Sequence, residues 1–252
     1  MIALLFALMS NAMALGPAEW QAVLDAHRSP AGEVDYQAIA SSSALDAPIA
    51  SLAQAKVPES HAAKMAFWIN AYNAITVQVV AKSWPIRSIR DLDDGSVWTT
   101  RRFQVAGETL TLDQIEKEKL VPLGDPRVHI ALNCASIGCP PLIGTALTAE
   151  NLDVQLSQAT KRWSSQQGMR LDHRANVLVL HRIFDWYAAD FRPKSPTAPP
   201  GVEPRLHGVI DFLAAHLPAP EREALMRGGY AVSFKPYDWA VNARGTATNP
   251  RE

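Results

Sequence analysis

Apolar positions recur at helical spacing along most of the chain, and only short stretches alternate as strands do. Trp20, Val23 and Leu24 share a face of a helix predicted from Pro17 to His27, which a turn through Ser29-Pro30-Ala31-Gly32 closes. Between Ala40 and Val57, Leu45, Ile49 and Leu52 keep a helical spacing around Pro48, predicting one or two small helices. The longest predicted helix, His61 to Ser83, is apolar almost all round between Met65 and Val80, which requires burial on most sides. Trp98 to Thr111 reads as a hairpin: Phe103 and Val105 alternate, Ala106-Gly107-Glu108 turns, and Leu110 lies on the return. Thr111 and Gln114 stand in capping-box positions of a helix reaching Leu120.

The run from Val128 to Leu132 reads as a buried strand, and Ala135 to Pro141 as the loop that ends it. Thr148 caps a helix with a stripe of Leu152, Leu156, Ala159 and Trp163. Strands follow at Asn176 to Leu180 and Tyr230 to Phe234, and helices at Ile183 to Phe191, Leu206 to Leu217 and Pro220 to Met226. Five prolines between Pro193 and Pro204 predict an extended surface loop, and residues 243–252 a flexible tail. The fold class is α+β: one helix-rich domain over residues 15–242, with a small sheet against which the long buried helix packs.

The first residues change the picture of where this domain works. Ile2 to Met9 is an apolar core leading to the small-x-small triplet Ala12-Met13-Ala14, the pattern of a cleaved signal peptide over residues 1–14. The chain is therefore expected in the periplasm or outside the cell, without any segment long enough to span a bilayer. With 252 residues, 48% of them hydrophobic, it is long enough for a sizeable core. Its 24 basic and 25 acidic residues leave no excess of the kind that nucleic-acid backbones select. Composition does not specify an oligomeric state.

Candidate chemistry gathers between Asp125 and Leu142, which contains both cysteines of the chain. In an oxidising compartment Cys134 and Cys139 are a candidate disulfide, closing a loop with four residues between them. Cys134 is also a candidate nucleophile, with His129 or a histidine from elsewhere, such as His173 or His181, as base and Glu116 as the carboxylate that orients it. A straight strand argues against that dyad, since it would hold His129 and Cys134 about 16 Å apart on opposite faces. Glu116 shares a helix side with Leu112, Ile115 and Leu120, so its carboxylate needs a partner. Asn70 and Asn73 lie three apart on the buried helix, where their amides either pin backbone or bind a ligand. Asn133 and Asp238 are further binding candidates, and Trp239 is expected in the core. No cofactor is implied, and two cysteines without a second pair do not complete a zinc set.

Several motifs occur together in order: Phe67-Trp68-Ile69-Asn70-Ala71-Tyr72-Asn73-Ala74; Asp125-Pro126-Arg127-Val128-His129 through Asn133-Cys134, with Cys139-Pro140-Pro141-Leu142; Thr148-Ala149-Glu150-Asn151-Leu152; Ile183-Phe184-Asp185-Trp186-Tyr187 with Asp190-Phe191; and Tyr237-Asp238-Trp239. Over residues 62–242 the chain resembles the domain of unknown function 547 family. The resemblance implies no activity to carry over; exported bacterial members of that family are common, and related domains occur in plants. The positions in its motifs suited to chemistry are Asn70, Asn73, Glu116, His129, Asn133, Cys134 and Cys139. Two functions stay open: a binding domain for a small molecule or peptide with a structural Cys134–Cys139 pair, and a thiol-dependent hydrolase or transferase of the cell envelope.

Overall fold

The computed structural model describes residues 16–192 and 199–245; the expected signal peptide, residues 193–198 of the proline-rich loop and residues 246–252 of the tail lie outside the described residues. The fold is helix-rich α+β with two small sheets. Helix α1 (Pro17–His27) starts on a proline in its first turn and buries Trp20, Val23 and Leu24. Short helices α2 (Tyr36–Ala40) and α3 (Asp46–Ser51) lead to α4 (His61–Lys82), which buries an unbroken run from Trp68 to Ala81. Each fully buried aliphatic side chain in that run, Ile69 or Ile75 for example, stabilises the fold by about 1.5–3 kcal/mol.

Helix α5 (Val97–Thr100) precedes the hairpin of β1 (Phe103–Val105) and β2 (Glu108–Leu110). Trp98 is therefore in a helical turn, and the hairpin is shorter than the sequence pattern predicts. The hairpin is the small sheet nearest α4, adding Val105 and Leu110 to the same core, while α4 packs mainly on other helices. Thr111 and Gln114 form the predicted capping box of α6 (Leu112–Gln114). The chain then widens into a π-helical turn, Ile115–Leu120, in which the Val121 N–H donates to Glu116 O.

The expected strand at Val128 to Leu132 is instead a single helical turn, α7 (Val128–Ala131). A short apolar run is compatible with either state, and the residues before it decide. The Asp125 carboxylate accepts from the Arg127 N–H at 3.0 Å, and the Asp125 carbonyl accepts from the Val128 N–H. Pro126, with its φ already suited to a helix, stands at the start of the turn. The Arg127 guanidinium completes the anchor, bonding both Asp125 and, at 2.8 Å, Asp153 on α8 (Leu152–Trp163).

Beyond α8 come β3 (Met169–Asp172), a strand the pattern does not show, and β4 (Val177–Leu180), antiparallel to it. Helix α9 (Ile183–Trp186) runs into a 3₁₀ turn, Ala188–Asp190. Then α10 (His207–His216), α11 (Ala219–Arg227) and β5 (Ala231–Phe234) follow, with β5 parallel to β4. Apolar side chains form two cores, one around α4 and one around β4, α9 and α10. Helix α7 joins them, placing Val128, Ala131 and Leu132 in the first and Ile130 in the second. No helix of the described residues is long and apolar enough to cross a membrane.

Candidate functional site

Where the two cores meet, His129 on α7 is buried between carboxylates from distant parts of the chain. Its Nε2 lies 2.9 Å from Asp190 Oδ2, and its Nδ1 lies 3.6 Å from Glu116 Oε1. The imidazole stacks on Tyr187, ring centroids 4.2 Å apart. Burial pulls the imidazole pKa down, but the hydrogen bond to Asp190 and the nearby Glu116 carboxylate outweigh it, and the net direction is up. The hydrogen bond to His129 in turn holds Asp190 below the ordinary carboxylate value. Burial, and then the Glu116 charge, push the phenols of Tyr72 and Tyr187 up, so both stay neutral beside that carboxylate.

Glu116 and His129 line a pocket of about 310 Å³. Its walls are aromatic: Tyr72, Trp98, Trp186, Tyr187, Tyr237 and Trp239. Trp239 is only partly buried, so it belongs to the pocket wall and not, as its sequence neighbourhood predicts, to the core; its ring centroid lies 4.5 Å from that of Tyr237 and 5.7 Å from that of Trp186. Trp186 is 48% exposed and forms part of the pocket mouth.

The disulfide Cys134–Cys139, with α-carbons 6.2 Å apart, also lines this pocket. Ala135 takes φ of +60°, a conformation that costs a residue with a Cβ about 1–2 kcal/mol. Hydrogen bonds hold it there: its N–H donates to Asn133 Oδ1 at 2.9 Å, and its carbonyl accepts from the Asn242 N–H at 3.2 Å. The C-terminal segment runs beside the loop, with the Ile137 and Gly138 N–H groups donating to Ala240 O and Asp238 O, both at 2.8 Å. A Cβ on Gly138 would come within 2.9 Å of Asp238 backbone and the Tyr237 ring, so this close approach needs glycine. The same pairing delivers Tyr237 to the disulfide: its hydroxyl lies 3.0 Å from Cys134 Sγ, 2.8 Å from Ser136 Oγ and 3.2 Å from Cys139 Sγ. Burial pushes this phenol up as well, partly offset by Ser136.

A helical α7 overturns the strand geometry that set His129 and Cys134 on opposite faces, because both line one pocket. They do not form a dyad, since each imidazole nitrogen faces a carboxylate and Cys134 is held in the disulfide. Two other histidines lie elsewhere. His181 is buried in a neighbouring cavity with a pKa brought down to about 3 by burial and the Lys235 charge, and His173 is exposed at the β3–β4 turn.

Both asparagines of α4 are committed to backbone. Asn70 donates to Leu147 O at 2.8 Å and accepts from Leu147 N at 3.0 Å. Asn73 donates to Ala131 O and accepts from Asn133 N, both at 2.9 Å. Neither lines the aromatic pocket. Asn133 donates to Pro140 O and accepts from Asn242, which also accepts from the Tyr36 hydroxyl; this network braces the disulfide loop. The Asp238 carboxylate accepts from Ala240 N at 3.0 Å, closing a turn, and lies with Asn133 in the cavity that holds His181. Asp190, Tyr187 and Trp186 are site residues that residue-by-residue reasoning passes over. The acid and rings of the Ile183–Phe191 segment are the signal, but only the fold brings Tyr187 and Asp190 onto His129 and Trp186 against Tyr237 and Trp239.

Residues 58–163 match the model of a family described as "Protein of unknown function, DUF547". The matched segment contains α4, Glu116, His129 and both cysteines, while Asp190 and the Tyr237–Trp239 wall lie beyond it. No curated protein and no solved structure matches the chain.

Proposed function

We propose that this DUF547 family protein is an exported binding domain, which takes a small molecule or a peptide side chain into the aromatic pocket beside the Cys134–Cys139 disulfide. The pocket itself carries the reading: about 310 Å³, six aromatic side chains, and one small polar cluster converging at Glu116. Its described lining residues include Asp113 and Glu116 but no lysine or arginine, and the Arg90 guanidinium already lies over the Trp239 ring, 5.1 Å from its centroid. With all three groups ionised, Glu116, His129 and Asp190 together carry one net negative charge. The site therefore favours a ligand with an apolar body and, where charged, a positive one, since ring faces attract cations. The disulfide holds the wall in place. Export agrees with that bond, which persists in oxidising compartments, and with the signal-like residues 1–14.

Two choline-like probes test the reading, benzyltrimethylammonium and choline, with methyl glucoside as the neutral polar control. Titration into the mature chain should give a saturable change in tryptophan fluorescence with the cations. Trp239→Ala should abolish it while circular dichroism stays native, and Glu116→Gln should weaken it. Titrations that leave the fluorescence of the folded wild-type protein unchanged with both cations would refute the assigned ligand chemistry.

A further inference from the structure

A second cavity, of about 560 Å³, shares no lining residue with the aromatic pocket and has the opposite electrical character. Two arginines line it, Arg28 from the end of α1 and Arg162 from the last turn of α8, together with Gln155, Gln158, Gln166 and Gln167. No carboxylate is among its described lining residues, and neither arginine has an ion-pair partner among the described residues. Arg28 is half-buried, and burial together with the Arg162 charge lowers its pKa, with no acid offsetting them. A half-buried guanidinium and an exposed one on the wall of a single cavity repel each other, and an anion between them would relieve that repulsion.

The Arg28 guanidinium is fixed in place by two contacts. Its Nε donates to Leu142 O at 2.6 Å, and its Nη1 packs so closely on Gly144 that a Cβ there would lie 2.9 Å away. Arg162 has an ordinary reason to be where it is, since a cation in the last turn complements a helix C-terminus. Arg28, the C-cap residue of α1, stands at a helix end too, and its guanidinium turns from that end to Leu142 O and Gly144 on the cavity wall. The four glutamines that line the same cavity carry amides, each both donor and acceptor, the functional groups that recognise hydroxyls.

We propose that this cavity binds a hydroxylated organic anion, with Arg28 and Arg162 on its carboxylate or phosphate and the glutamine amides on its hydroxyls. A guanidinium fork matches either acidic group, so acidic sugars and sugar phosphates share the chemistry. The site is independent of the aromatic pocket, and its failure would leave the reading of that pocket untouched.

Calorimetric titration of the full mature chain at low ionic strength tests it, using glucuronate, glucose 6-phosphate and glucose. One or both anions should bind saturably and more weakly as salt is added, glucose should not bind, and the stronger of the two identifies the acidic group. The exposed Arg162→Gln should weaken binding by about tenfold or more, without changing the thermal midpoint. Gly144→Ala, which displaces only the tip of a long side chain, should weaken it too while Arg28 keeps its charge. Absence of saturable binding by both anions, or binding equally strong in Arg162→Gln, would overturn the assignment.

Discussion

His129 Nε2 and Asp190 Oδ2 are 2.9 Å apart although they lie sixty-one positions apart in the chain, and this contact ties α7 to the turn after α9. With Glu116 on the opposite ring nitrogen, the imidazole sits between two carboxylates at the floor of the aromatic pocket. Binding a cation at Glu116 would compete with His129 for that carboxylate, which couples pocket occupancy to the protonation of the histidine.

The pH dependence of stability follows from the directions of these shifts. The folded pKa of His129 lies above its ordinary 6.5, so its contribution is complete below pH 6.5 and is lost as pH rises through the raised folded value. Asp190 is held below 3.8, so its contribution is present above that pH and is lost as pH falls through the lowered folded value. Urea midpoints of the wild type and His129→Gln should differ most between these limits and converge on the alkaline side. A difference that stays constant from about pH 4 to pH 9 would mean that the imidazole does not carry this charge.

Asn70→Leu and Asn73→Leu should each destabilise the protein by about 1–3 kcal/mol, because each strands a buried backbone N–H and carbonyl that its amide now satisfies. The denaturation midpoint should fall with the denaturant slope unchanged. Asn73→Leu should also alter the pocket, since Asn73 holds Asn133 beside the cysteine loop. Asn70→Leu, acting at Leu147, should leave ligand titration of the folded protein as it is; loss of binding there would give Asn70 a role that its hydrogen bonds do not show.

Cys134→Ser and Cys139→Ser should destabilise the protein to a similar extent, about 2 kcal/mol from the closure entropy of so short a loop, because either removes the same cross-link. Native protein purified without reductant should take up no alkylating reagent until it is reduced. Rapid alkylation of Cys134 alone near neutral pH, slowed by His129→Ala in a protein that remains folded, would restore the thiol-enzyme reading.

Local chemistry was legible in the sequence wherever it acts over a few residues. The capping box at Thr111 and Gln114, the burial of α4 on nearly every side and the turn at Ala106-Gly107 follow from side chains that bond or pack within one or two turns of themselves. The cysteine pairing was legible as one of two open readings, since spacing allows a disulfide but does not bring the sulfurs together. Tertiary structure decided the rest. Val128–Ala131 is helical because Asp125, Pro126 and Arg127 start a turn that α8 anchors through Asp153, and apolar content alone does not distinguish a buried strand from a buried turn. The partners of His129 come from two further segments of the chain, and Tyr237 and Trp239 reach the pocket only because the C-terminal segment hydrogen-bonds along the disulfide loop. A periodic pattern tells each residue which side of its own element is buried; which other element it meets there depends on how the two cores close against each other.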